Sequence, residues 1–148
     1  MIPYQLRPYT NADFDFVYRV KTEAFKGYVE KFWGVWAEDK QRGFFANFIE
    51  KFQNSLLIIE HNETPIGIYH GELIDQDTYE IGNIIIVPAY QRQGIGKDIL
   101  QNIIKAHPNK KMRLRVFKGN PAIALYKRLG FAVADESQTH YFMELRFV

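Results

Sequence analysis

The chain has 148 residues, 47% of them hydrophobic, and a formal net charge of +2. That is enough apolar material for one domain with a core, and it excludes a disordered polymer. The absence of cysteine excludes disulfides, thiolate metal sites and a covalent acyl-cysteine route.

The charge is unevenly spread. Between residues 99 and 134 there is no Asp or Glu, while Lys105, Lys110, Lys111, Arg113, Arg115, Lys118, Lys127 and Arg128 give that segment +8 and leave −6 for the rest. Such a segment reads as a solvated basic surface or as attraction for an anionic ligand. It lacks the interleaved aromatics of a nucleic-acid surface, so no nucleic-acid partner is expected. No apolar run approaches the ~20 residues of a membrane span. The first residues show no basic-then-apolar signal pattern, so a cytoplasmic protein without a membrane partner is expected.

Gln5, Leu6 and Arg7 read as a short first strand. Thr10 and Asp13 have the spacing of a capping box. Phe14, Val17, Val20, Ala24 and Phe25 follow at helical spacing, with Gly27 placed to end the helix. Tyr28, Phe32, Trp33 and Trp36 then form an aromatic-rich connection. They read either as packing residues over a sheet or as the lining of a substrate cleft. A second helix is expected over residues 38–52, using Phe44, Phe45, Phe48, Ile49 and Phe52. Residues 55–61, 66–74 and 78–87 read as an antiparallel meander with polar turns between them.

The third of these strands ends in the most informative stretch. Ile84, Ile85, Ile86 and Val87 are a β-branched run, and Pro88 stops it. Two glycines, Gly94 and Gly96, follow in a polar turn, and Ile99, Leu100, Ile103 and Ile104 then trace one helix face. A strand, a glycine turn and a helix N-terminus present unpaired amides and the positive end of a dipole, which suits a phosphate. The turn is not a dinucleotide fingerprint, because position 99 is Ile. Nor is it a Walker loop, because position 91 is Gln and Asp98 follows Lys97. After a break at Pro108-Asn109, residues 112–117 read as a strand parallel to its predecessor. Asn120 is placed as N-cap and Pro121 in the first turn of a helix carrying Ala122, Leu125, Tyr126 and Leu129, closed by Gly130. Residues 131–134 and 141–147 read as a final hairpin. With no repeat or linker, one domain over residues 1–148 is expected.

Gln91-Arg92-Gln93-Gly94-Ile95-Gly96 matches the Q/R-x-x-G-x-G/A signature of the GNAT superfamily of acyl-CoA-dependent N-acetyltransferases, with Pro88 and Tyr90 in their usual places before it. The run from Asn120 to Phe131 is similar to that family's second block, in which an asparagine precedes an alanine, a Leu-Tyr pair and a Gly-Phe pair. The order of elements fits as well, so the chain resembles this superfamily over nearly its whole length. The resemblance implies an α/β fold of GNAT type, a mixed twisted central sheet with helices on both faces. It implies acetyl-CoA as co-substrate, no metal, and direct acetyl transfer in a ternary complex. The acceptor is then a primary amine on a small molecule, peptide or protein, and the enzyme a monomer or homodimer.

The resemblance also implies roles. Amides of Gln91, Arg92, Gln93, Gly94, Ile95, Gly96 and Lys97 cradle the pyrophosphate, with Arg92 and Lys97 adding charge; a Cβ at the glycines would hold the backbone away. The backbone of Ile84, Ile85 and Ile86 pairs with the pantetheine arm as an added strand, and an amide near Ile86 holds the thioester carbonyl. A bulge or gap near residues 85–87 is expected to admit that arm. Asn120 touches coenzyme A or caps its helix. Tyr126 is the general acid beside the cofactor and Glu80 the general base, with His70 and Glu72 as alternative bases. Tyr28, Phe32, Trp33 and Trp36 are the candidate acceptor lining. Some relatives that acetylate protein N-termini carry a glutamate five residues before the asparagine. Arg115 stands there, which sets the chain apart from that subgroup and suits an acidic acceptor group or a coenzyme phosphate. A catalytically silent acyl-CoA-binding module is the competing reading. His61 and His140 fall at turn or hairpin edges, and the four histidines show no metal-ligand pattern.

Overall fold

The computed structural model describes residues 1–146; Phe147, expected at the end of the last strand, lies outside them. The chain forms two compact units. One comprises Met1–His70 and Asn83–Gln93, the other Gly71–Gly82 and the chain from Gly94 onward.

The first unit begins with β1 (Gln5–Pro8), antiparallel to β2 (Leu56–His61), which in turn pairs antiparallel with β3 (Thr64–Leu73). The capping box forms around a 3-10 turn, Asn11–Asp13. The Thr10 amide and hydroxyl both donate to Asp13 Oδ2, at 2.9 and 3.2 Å. Arg7 reaches both Asp13 oxygens at 2.8 Å and donates from Nε to Glu60 at 2.7 Å. This bidentate geometry fixes the start of α1 (Phe14–Trp33) to the first two strands. Val17 and Val20 of α1 and Phe45 and Ile49 of α2 (Glu38–Phe52) bury against Leu56, Ile58 and Ile68.

Gly27 does not end the first helix. α1 runs through it to Trp33 and stops at Gly34, whose φ is +88° and whose N–H bonds the Glu30 carbonyl at 2.9 Å. A mid-helix glycine costs only about 1 kcal/mol. The apolar spacing Phe25, Tyr28, Phe32 continues across it. Tyr28, Phe32 and Trp33 are therefore helical, and only Trp36 lies in the connection.

β4 (Thr78–Ile86) enters the second unit with its first five residues and there pairs parallel with β5 (Lys111–Phe117), and β7 (His140–Leu145) lies antiparallel between β5 and β6 (Ala132–Glu136). Helix α3 (Ile95–Ala106) connects β4 to β5, and α4 (Ala122–Arg128) connects β5 to β6. β6 is antiparallel to β7 and so parallel to β5. Both connections are then parallel crossovers advancing in the same direction, and right-handedness places α3 and α4 on one face. Buried Ile95, Ile99, Leu100, Met112, Leu114, Val116, Tyr126 and Met143 fill that side. The full strand order is β1-β2-β3-β4-β5-β7-β6, a mostly antiparallel seven-stranded sheet with one adjacent parallel pair.

Candidate active site

The stretch singled out in the sequence takes the expected local shape. Pro88–Tyr90 is a 3-10 turn, and Gln91 Nε2 turns back to donate to the Ile86 carbonyl at 2.7 Å. Arg92 has φ +63°, a left-handed conformation that a non-glycine residue rarely takes. Gly94, at φ +85° and ψ 0°, is the N-cap of α3 and supplies no side-chain cap. The Asp98 amide already bonds the Gly94 carbonyl at 3.0 Å. The amides of Ile95, Gly96 and Lys97 precede the first intrahelical bond, at the positive end of the dipole. Arg92 and Lys97 are exposed.

In the first unit, Ile85 and Val87 pack against the α1–α2 core, and the Val87 amide bonds the Ile66 carbonyl at 2.9 Å. Gly67 went unnoticed in the sequence. A Cβ there would overlap the Ile85 carbonyl and lie 3.2 Å from Ile86 Cα. The end of β4 lies so close to β3 that only glycine fits; an isolated glycine inside a strand is the signal that marks such an approach. The parallel ladder of β4 with β5 stops after Glu80↔Arg113, earlier than the gap expected near residues 85–87.

Tyr126 is buried on α4, its ring edge-on to Phe131, and burial pushes its phenol up to about 12. The phenol therefore keeps its proton throughout the neutral range. Asn120 Oδ1 accepts from the Ala122 amide at 2.9 Å, so its side chain secures the start of α4. The helix itself begins at Ala122, with Pro121 in the N-cap position. Glu80, half-buried on β4, is 3.6 Å from Arg113. His70 is enclosed in the first unit, 4.3 Å from the Phe52 ring and 5.9 Å from Phe48, and is only 4% exposed. Enclosure by two aromatic rings is a packing environment. Glu72 lies half-buried on β3.

Among the aromatic candidates, Tyr28 and Phe32 are half-buried on α1, and burial raises the Tyr28 phenol. Trp33 is 59% exposed and edge-on to Phe32. Trp36 donates its indole N–H to Glu38 at 2.8 Å, and Glu38 also binds the Tyr18 hydroxyl and Arg42. Trp36 thus fastens the connection to the start of α2. Lys21, given no role by its sequence position, stands 3.4 Å over the Phe48 ring, and burial pushes its ammonium down to about 8.

The family model for GNAT acetyltransferases matches residues 17–131. The chain belongs to the GNAT acetyltransferase family. Among relatives of this GNAT chain, one in Bacillus subtilis (strain 168) is described as a putative ribosomal protein bS18-alanine N-acetyltransferase. It is 27% identical over 133 residues, covering 87% of this chain and 81% of that protein. The fold is shared with the PaiA N-acetyltransferase of Thermoplasma acidophilum, solved with coenzyme A, at TM-score 0.72 and 20% identity over 99% of this chain and 100% of that one. It is also shared with the ribosomal-protein-S18-alanine N-acetyltransferase of Escherichia coli, at TM-score 0.68 and 22% identity over 98% and 94%. Among the described residues, no helix is long and apolar enough to cross a membrane.

Proposed function

We propose that this GNAT chain moves the acetyl group of acetyl-CoA directly onto a primary amine, with both substrates bound together. The observation that carries the reading is the start of α3, where Gly94 caps the helix without a side chain and leaves the amides of Ile95, Gly96 and Lys97 to an anion. The pyrophosphate of coenzyme A is the matching group, with Gln91, Arg92 and Gln93 leading into the same turn. Ile84, Ile85 and Ile86 offer backbone groups to the pantetheine arm, and Asn120 is proposed as a further coenzyme contact.

In the transfer, the amine nitrogen attacks the thioester carbonyl and its proton passes to Glu80, directly or through water. The carbon–sulfur bond breaks, and Tyr126 protonates the departing thiolate. With no cysteine in the chain, no acyl-enzyme on sulfur forms. Tyr126 lies on α4, and Glu80 alternates with buried Tyr79 and Ile81 on the sheet face opposite α3 and α4, so acid and base are proposed to work from opposite sides of the reacting carbon. Tyr28, Phe32, Trp33 and Trp36 are offered as acceptor lining.

Although Arg115 stands where some relatives that acetylate protein N-termini carry a glutamate, peptides with a free α-amine are the first acceptors to try, because the Bacillus subtilis and Escherichia coli relatives are described as alanine N-acetyltransferases. The test is release of free thiol from acetyl-CoA across peptides, polyamines and small amines. Acceptor-dependent release is the expected result. Tight coenzyme binding with no release for any amine would identify a silent acyl-CoA-binding module instead.

A further inference from the structure

With α3 and α4 on one face of the second unit's sheet, the other face carries rows of side chains set by the ladder register. Glu80, Arg113, Glu144 and Ala132 form one row, Arg115, Phe142 and Asp135 the next, and Phe117 and His140 the third. Arg113, Arg115 and Asp135 are exposed, and Phe142 is 37% exposed.

The charges on this face are matched, with one exception among the cations. Glu80 pairs with Arg113 at 3.6 Å, and Glu144 with Lys111 at 3.6 Å and Arg146 at 3.1 Å. Among the described residues the Arg115 guanidinium has neither an ion pair nor a side-chain hydrogen bond. Asp135 in its row is two strands away, about 10 Å, and accepts the Glu136 amide at 2.8 Å. His140 bonds Thr139 at 2.7 Å, and its ring lies tilted against Phe117 with centroids 4.2 Å apart. Burial and the Arg115 charge lower its pKa, so it adds no second cation here at neutral pH.

We propose that Arg115 is a specificity residue of the acceptor site, binding a carboxylate carried by the second or third residue of a peptide whose free amine lies at Glu80. This rests on the acetyl-transfer reading above. Arg115 stands two residues along β5 from Arg113, the partner of Glu80, a step of about 7 Å. An extended peptide covers that distance in about two residues. The acceptor's amine and its carboxylate then each meet the opposite charge on one face, beside the apolar ring of Phe142.

The experiment measures affinity for Ala-Glu-Ala-Ala and Ala-Gln-Ala-Ala by calorimetry at saturating coenzyme A. Wild type binds the acidic peptide about fivefold more tightly, as one exposed charge-assisted contact gives. Arg115→Gln reduces the difference to less than twofold, and Arg115→Lys keeps part of it. Arg128→Gln, which removes an exposed cation from α4, keeps the full preference. Equal affinities in wild type, or a preference that survives Arg115→Gln, overturn the proposal. So does an Arg115→Gln effect on coenzyme affinity alone, which would give Arg115 to a coenzyme phosphate. Thiol release, followed separately with the same peptides, decides whether acetyl transfer occurs at all.

Discussion

At the level of single residues, Tyr126 joins two demands that rarely coincide, burial and a transferable proton. Its phenol, pushed up to about 12, stays protonated through the neutral range, as the acid role proposed for it requires. Tyr126→Phe keeps the packing against Phe131 and removes only the hydroxyl. Turnover should fall about 100-fold with coenzyme affinity nearly unchanged; steady-state thiol release and equilibrium binding check this, and wild-type turnover would remove Tyr126 from the acid role. Gly67 makes a different demand, because the neighbour its missing side chain would strike is backbone, which cannot rotate away. Gly67→Ala should lower stability by about 1–3 kcal/mol and disturb the end of β4, read by denaturant melts and by coenzyme affinity. Neither property was visible in residue type: Tyr126 came from a resemblance, and Gly67 becomes informative only when β3 and β4 are seen to touch.

Elements were legible wherever one periodicity dominated. The β-branched run before Pro88, the helical spacing after Gly94 and the strand expected at 112–117 all formed within a residue or two of expectation. The first helix runs past the stop that Gly27 suggests. The cost of one glycine is small beside the packing of Val17, Val20 and Tyr28 on either side of it. Its backbone is helical and nothing lies within 4 Å of the position a Cβ would take. Gly27→Ala should therefore stabilise the protein by about 1 kcal/mol, seen as a higher denaturant midpoint with unchanged slope. Gly94 is the opposite case, with φ +85° at the N-cap of α3. A β-branched residue is strained there and would crowd the amides after it, so Gly94→Val should weaken coenzyme binding at least tenfold. Calorimetry on protein shown to be folded by circular dichroism tests this, and wild-type affinity would mean the turn is misread.

For the molecule as a whole, stability in acid should follow the Arg7–Asp13 pair. Hydrogen bonds from Arg7 hold the Asp13 carboxyl below its usual value of 3.8, outweighing the opposing effect of burial. The folded state thus favours the ionised form. This contribution is complete above the unfolded value and is lost as pH falls through the lower folded one. Asp13→Asn should cost about 2 kcal/mol at pH 7 and flatten the decline in stability below pH 4, measured by urea melts across pH. Composition gave the +8 segment but not its use. Three of its cations, Lys111, Arg113 and Lys118, are paired with carboxylates from outside the segment, and such pairing depends on strand register that charge counting does not contain. The aromatic content had the same ambiguity, since Trp36 meets a carboxylate that sequence spacing alone did not single out. Both tryptophans of the chain fall within four residues at the end of α1. One is largely open to water and the other has its indole N–H tied to Glu38. Emission excited selectively at tryptophan therefore comes from a single locality, so an acceptor settling beside α1 will shift that spectrum, while one bound only along β5 will leave it unchanged.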